Sequence, residues 1–221
     1  MQTNTCRLIV CDVCDTLYNS NTTFDFLCFV SRLHSPIGRV WFKIVTSRFS
    51  PLFYSLILCG RFLDIDLVRK SALLLIRNKS LFELKGLAEK FYNDFLKKRV
   101  NKQVINLIYK GEGRRIVLMS SSIDVVVNVI ASSIGVECYS SELEYRNGLA
   151  TGRLKTDLTG IKGEVTQHLL TAADSSVELT VITDNKTDWE LMRMAQQRYV
   201  VVKSSNEKGF WKTLNPIFIE V

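Results

Sequence analysis

Histidine and proline are both scarce in this chain, with two and three copies in 221 residues. The two histidines, His34 and His168, fit no catalytic spacing and read as packing or surface residues. No apolar run is long enough to cross a bilayer. The longest uncharged apolar stretch between the first two strands, 49–60, has twelve residues and is broken by Pro51. Strand-like residues begin at once, without a basic lead and a cleavage site, so no secretory signal is expected. Cys11 and Cys14 have the spacing of a redox or half-zinc pair. No second pair follows, and alternate strand residues face opposite ways, which argues against both roles. The six cysteines (6, 11, 14, 28, 59 and 138) are scattered, as suits reduced thiols in a cytoplasmic protein. Low-complexity tracts and internal repeats are lacking too.

The length is ample for a buried core without staples. Charge is unevenly placed. Residues 32–110 hold 16 Lys/Arg against 5 Asp/Glu, whereas the rest of the chain is slightly acidic. The plainer reading is a helical region with solvated basic faces. The sharper one is a surface that attracts an anionic substrate or an anionic membrane, giving a peripheral location there. No nucleic-acid-binding motif accompanies the charge, which argues against that partner.

Residues 8–11 form a short apolar run that ends in Asp12, the pattern of a buried parallel strand. Ligands bind open parallel sheets at the carboxyl ends of the strands, which is where Asp12 would lie. Thr22 or Thr23 suits the cap of a helix starting near Phe24, with Leu27, Cys28 and Leu33 at helical spacing. Ser35-Pro36 interrupts. A second apolar segment, 38–59, is broken at Ser50-Pro51, and amphipathic helices are expected over 64–77 and 80–98. From residue 101 the pattern alternates. Helices are expected at 101–111, 123–134 (stopping at Gly135), 161–172 and 187–196. Strands are expected at 115–119, 136–139, 178–182 and 199–202, with a hairpin turning at Asn147-Gly148. This predicts an α/β fold: a Rossmann-like parallel sheet with helices on both faces, plus an inserted helical bundle.

Four stretches carry the candidate chemistry. They are Asp12-Val13-Cys14-Asp15-Thr16, the serines after Val117-Leu118-Met119, Lys162 at a helix start, and Thr183-Asp184 with Asp188 four residues on. Together, and in this order over nearly the whole chain, they resemble the haloacid dehalogenase superfamily of aspartate-nucleophile phosphohydrolases, and within it the phosphoserine-phosphatase-like branch. The resemblance implies a core of residues 1–20 and 100–221 and a cap of residues 21–99 that closes over the site. It implies an aspartyl-phosphate on Asp12. Mg²⁺ would be held by Asp12, the Cys14 carbonyl and Asp184, with Asp188 assisting. Thr16, Ser120 (or Ser121) and Lys162 would bind phosphate. The implied substrate is a small phosphorylated metabolite or a lipid phosphate. The plainer alternatives are helix capping for the serines, a helix start for Asp184 and Asp188, and a surface position for Lys162.

Position 14 departs from the family, which usually has an aspartate there as general acid and base. Asp15 stands where glycine is common. A thiol with a pKa near ~8.5 is a poor proton shuttle at this position. Three outcomes follow: a substrate with a good leaving group, Asp15 swinging in as the acid, or slow hydrolysis with a persistent phosphoenzyme. The alternative class is a catalytically impaired phosphate- or partner-binding protein. The aromatic, basic segment with Trp41, Phe42, Lys43, Arg48, Phe49, Phe53 and Tyr54 is either part of the core of the inserted helices or a membrane-resting surface.

Overall fold

A computed structural model of the chain describes residues 6–34, 36–110, 114–172 and 177–221. The expectations for Ser35, for the end of helix 101–111 and for the side chain of His34 lie outside the described residues.

The first strand, β1 (Cys6–Cys11), buries Leu8, Ile9, Val10 and Cys11. Five helices follow: α1 (Thr22–His34), α2 (Pro36–Thr46), α3 (Pro51–Leu63), α4 (Leu67–Leu73) and α5 (Leu81–Asp94). Next come α6 (Lys102–Tyr109), β2 (Arg114–Ile123), α7 (Asp124–Ile134), and the hairpin β3 (Glu137–Arg146) and β4 (Leu149–Thr156). The chain closes with α8 (Lys162–Thr171), β5 (Val177–Thr183), α9 (Trp189–Met194), β6 (Gln197–Val202), α10 (Lys208–Trp211) and β7 (Ile217–Glu220). Strand order is β4-β3-β2-β1-β5-β6-β7, and every pairing is parallel except β3 with β4. The α/β expectation therefore holds, with β1 at the centre of the sheet. Its carboxyl end lies between those of β2 and β5.

Two cores sandwich the sheet. One joins Ile9, Cys11 and Leu118 to Phe26, Leu27 and Val30 of α1, Leu84 and Phe91 of α5, and Val126 and Ile130 of α7. The other joins Leu8, Val10, Val181 and Val200 to Leu191, Met192 and Trp211. Sheet residues alternate between them because strand side chains alternate faces.

Several boundaries differ from the sequence reading, for local reasons. Asn21, not Thr22 or Thr23, caps α1: its Oδ1 accepts from Phe24 N at 3.3 Å. The inward face of α1 is Phe26, Leu27 and Val30, and Leu33 is exposed. β2 runs on to Ile123, with a register break between Ser120 and Ile123. The serines are thus carried within the irregular end of the strand, and Ile123, at the N-terminus of α7, has no side-chain cap among the described residues. β3 is one continuous strand that pairs first with β2 and then with β4. The expected turn is present, with Asn147 (φ 51°) and Gly148 (φ 76°) both left-handed. Residues 203–221 had no assigned element. They supply β7, only four residues long, and Trp211, which stacks on Trp189 at 5.9 Å.

The helical insertion meets the hairpin closely. At Gly152 (φ 77°) a Cβ would lie 3.1 Å from Leu73 O and from Leu74 Cα, so this contact requires glycine.

Candidate active site

Asp12 follows β1 directly, its amide still donating to Ile182 O of β5 at 2.9 Å. The residue is 4% exposed. A tight loop holds the next residues, with Tyr18 N donating to Val13 O at 3.1 Å and Asp15 N to Ser20 O at 3.2 Å. Asp15 adopts φ 52°, which accounts for glycine suiting this position. Its carboxylate pairs with Lys203, 2.6 Å from Nζ.

Lys162, at the start of α8, is 2% exposed. Its Nζ donates to Asp12 Oδ1 at 2.7 Å and to Asp188 Oδ2 at 2.8 Å. A buried ammonium is ordinarily disfavoured. Here burial pulls its pKa down, but the two carboxylates outweigh that and hold it above the usual lysine range. The surface-lysine alternative is excluded by this burial. Asp188 returns beneath β5 through a short turn capped by Asn185, whose Oδ1 accepts from Thr187 N at 3.1 Å. Thr183 Oγ1 also donates to Asp188 Oδ2, at 2.7 Å, while Asp188 Oδ1 is buried and has no hydrogen-bond partner among the described residues.

Thr16 links the loop after Asp12 to β5. Its hydroxyl donates to Asp184 Oδ1 at 2.8 Å, lies 3.5 Å from Asp12 Oδ2, and accepts from Asp184 N at 2.9 Å. The two carboxylates are near enough to repel. Burial first, then the charge of Asp12, push Asp184 up to about 7. Burial likewise raises Asp12, with Lys162 opposing.

Asp12, Thr16, Lys162, Asp184 and Asp188 thus converge. The serines are arranged differently. Ser120 is fully buried, and its Oγ accepts from Ser122 N at 3.2 Å. Ser121 is engaged through its carbonyl, which accepts from Ser141 Oγ at 2.9 Å and from Arg69 Nη2. Ser122, not singled out from sequence, faces Cys14. Its Oγ lies 3.1 Å from Cys14 Sγ and 2.9 Å from Thr23 Oγ1, and it also bonds Thr22. Thr22 Oγ1 is in turn 2.9 Å from Cys14 Sγ. Burial, then the neighbouring Asp12 charge, push the Cys14 thiol up, so it is held neutral. Its side chain therefore lacks the charge needed to act as a base. His168 is exposed on α8, as expected of a surface residue.

Arg69 of α4 is the other residue that sequence reasoning missed. It is buried, and its Nη1 donates to Asp157 Oδ1 and Oδ2 at 2.9 and 3.1 Å. With its bond to Ser121 O, it anchors α4 to the strand ends. Nothing in the local pattern around Arg69 separates it from the other basic residues of this region.

Among the described residues, no three His, Cys, Asp or Glu side chains surround a single point as a metal cage would. Magnesium does not need one, because it binds through one or two carboxylates and keeps several waters. The donor set fits such an ion: two hard, mutually repelling carboxylates, Asp12 and Asp184, share the Thr16 hydroxyl. The charge also fits. When ionised, Asp12, Asp184 and Asp188 carry three negative charges against the one buried ammonium of Lys162. A cavity of about 390 Å³ opens beside the loop, lined among others by Asp15, Thr16, Lys98, Arg99 and Lys102.

A search of curated proteins found no match. Solved structures are similar in fold. A Bordetella pertussis Tohama I protein of unknown function superposes with a TM-score of 0.78 at 18% identity, covering 98% of this chain and 99% of that one. A phospho-aspartyl intermediate analogue of phosphoserine phosphatase gives 0.60 at 14% identity, covering 98% and 94%. Cytosolic 5′-nucleotidase IIIB bound to cytidine gives 0.60 at 14%, covering 97% and 79%. The family model for haloacid dehalogenase-like hydrolases matches residues 9–193. With its motif residues gathered at the carboxyl end of β1, the chain belongs to the haloacid dehalogenase-like hydrolase family.

Proposed function

We propose that this hydrolase is a Mg²⁺-dependent phosphatase that transfers a phosphoryl group to Asp12 and then to water. The observation that carries the reading is the Lys162 Nζ to Asp12 Oδ1 contact of 2.7 Å at a buried strand end. The fold similarity to phosphoserine phosphatase and to a 5′-nucleotidase supports phosphoryl chemistry.

Asp12 Oδ1 attacks phosphorus as the bond from phosphorus to the leaving oxygen breaks. Lys162 holds the carboxylate in place and offsets its charge against the incoming phosphate. Asp188, bonded to Lys162 and Thr183, fixes the ammonium. Asp12 Oδ2, Asp184 and the Cys14 carbonyl would hold Mg²⁺, which supplies positive charge to the transferring phosphoryl group. Ser120 or Ser121 would donate to a phosphate oxygen, and Thr16 would keep Asp184 turned toward Asp12. The cations Lys98, Arg99 and Lys102 at the neighbouring cavity favour entry of an anion. Residues 21–99 would act as the cap that selects substrate, either a small phosphorylated metabolite or a lipid phosphate.

The neutral thiol of Cys14 leaves protonation of the leaving oxygen without a carboxylic acid, and Asp15 is engaged by Lys203. Substrates with acidic leaving groups, such as acyl phosphates or phosphoanhydrides, therefore suit the site best. The same Cys14 cluster supports one competing reading, a relative that binds phosphate or a partner without turnover. A panel of phosphorylated metabolites and lipids assayed with Mg²⁺, using wild type beside Asp12→Asn, separates the two. Release of phosphate by wild type alone supports the enzyme, and none from either supports the binding protein.

A further inference from the structure

The helices α2 and α3 divide their apolar residues between two opposite destinations. Trp41, Phe42 and Leu56 pack inward against the core, and Val45 is fully buried. The plainer reading of this segment thus accounts for its inner face. The outer face is also apolar. On α2, Ile37, Val40 and Ile44 are exposed at i, i+3 and i+7, and Ile37 is 82% exposed. On α3, Leu52, Leu58, Phe62 and Leu63 share the solvent side, and Phe62 is 83% exposed. Between the helices, Phe49 is 99% exposed. Isolated exposed apolar residues are ordinary, but two successive helices with apolar outer faces mark an interaction surface.

Charge identifies the occupant. Residues 36–63 contain Arg39, Lys43, Arg48 and Arg61 and no acid, and the first acid beyond them is Asp64. All four cations are exposed. Arg39 and Lys43 border the Ile37, Val40 and Ile44 stripe on the same helix. A second copy of the chain docked face to face would set these cations against one another, at a cost in repulsion. An anionic lipid surface complements both features, taking up the apolar side chains and pairing with the cations. Among the described residues no helix is long and apolar enough to cross a membrane, so contact would be lateral.

We infer that the outer faces of α2 and α3, with Phe49 between them, dock the protein on anionic phospholipid membranes. The inference is independent of the catalytic reading, because it uses none of the site residues.

Co-sedimentation of the full chain with vesicles tests it, without Mg²⁺ or substrate. Vesicles of phosphatidylcholine alone are compared with vesicles of equal parts phosphatidylcholine and phosphatidylglycerol. The wild type is expected to sediment with the phosphatidylglycerol vesicles and less so at high salt. Two variants alter only exposed residues: Phe49→Ser with Phe62→Ser, and Lys43→Gln with Arg48→Gln. Each cation is worth roughly five-fold in partition, so the second variant should lose roughly 30-fold. Asp12→Asn should bind like wild type. Three results overturn the inference. They are wild type that stays in the supernatant with both vesicle types; binding that is unchanged in both variants or equal on neutral vesicles; and a dimer in sedimentation velocity, lost in the Phe49/Phe62 variant, without vesicle binding.

Discussion

The Cys14 thiol lies 3.1 Å from the hydroxyl of Ser122, across the gap between the loop after Asp12 and the irregular end of β2. With Thr22 it forms a partly buried cluster of neutral donors and acceptors, where the proposed mechanism would place a carboxylic acid. Replacement by Asp restores that acid. Cys14→Asp is expected to raise turnover of simple phosphomonoesters, by up to the roughly 10²- to 10⁴-fold worth of general acid–base catalysis. Rates on substrates with acidic leaving groups should change little. Unchanged or lower monoester turnover in a correctly folded variant would count against the assignment.

Asp12→Asn removes the proposed nucleophile while keeping its size. Mg²⁺-dependent phosphate release should fall below detection, and the variant should fold, because the amide oxygen still accepts from Lys162. Circular dichroism checks the fold, and a phosphate-release assay checks the loss. Retained activity rejects Asp12 as nucleophile.

Among the described residues, Lys162 is the only ammonium partner of Asp12 and Asp188. Removing one member of a buried ion pair leaves the others charged without compensation, at a cost of about 3–5 kcal/mol. Lys162→Met should therefore destabilise the metal-free protein by that order in urea unfolding. A change within experimental error would mean that the three groups are not packed together in solution.

Asp184 gives a pH dependence of definite sign. Unfolded, it titrates near 3.8. Folded and free of metal, it is pushed up to about 7 by burial and by Asp12. Between those values the folded state holds the proton more tightly than the unfolded state does. Stability without metal should therefore fall as pH rises through this window and level off above it. Mg²⁺ favours the ionised carboxylate and should lift stability most above pH ~7, by mass action. Melting curves in chelator and in Mg²⁺ across this range are the check. A metal-free stability that rises with pH over the window would contradict the arrangement.

Much of this architecture was legible because its signals are local. The run Leu8 to Cys11 ending in Asp12 needs no distant partner to be recognised as a central strand. Asn147-Gly148 names its own turn through two left-handed residues. Lys162 was placed at a helix start from sequence, and the pair of buried carboxylates it meets there lies far from it in the chain. Other features depend on contacts far apart in sequence. Ser122 meets Cys14 only because β2 continues past its register break. Thr22 and Thr23 were free to join it because Asn21 took the capping role. Lys203 captures Asp15 from across 188 residues. The strand β7 is too short for periodicity to declare it, and Leu33, apolar at helical spacing, is exposed while Phe26, Leu27 and Val30 are buried.

Arg69 bears on motion. One guanidinium reaches from α4 to the Asp157 carboxylate, the Thr159 hydroxyl and the Ser121 carbonyl together. Lifting α4 off the strand ends would strip all of these at once and expose a buried cation. Such a departure would resemble a latch releasing, with few stable half-open positions between.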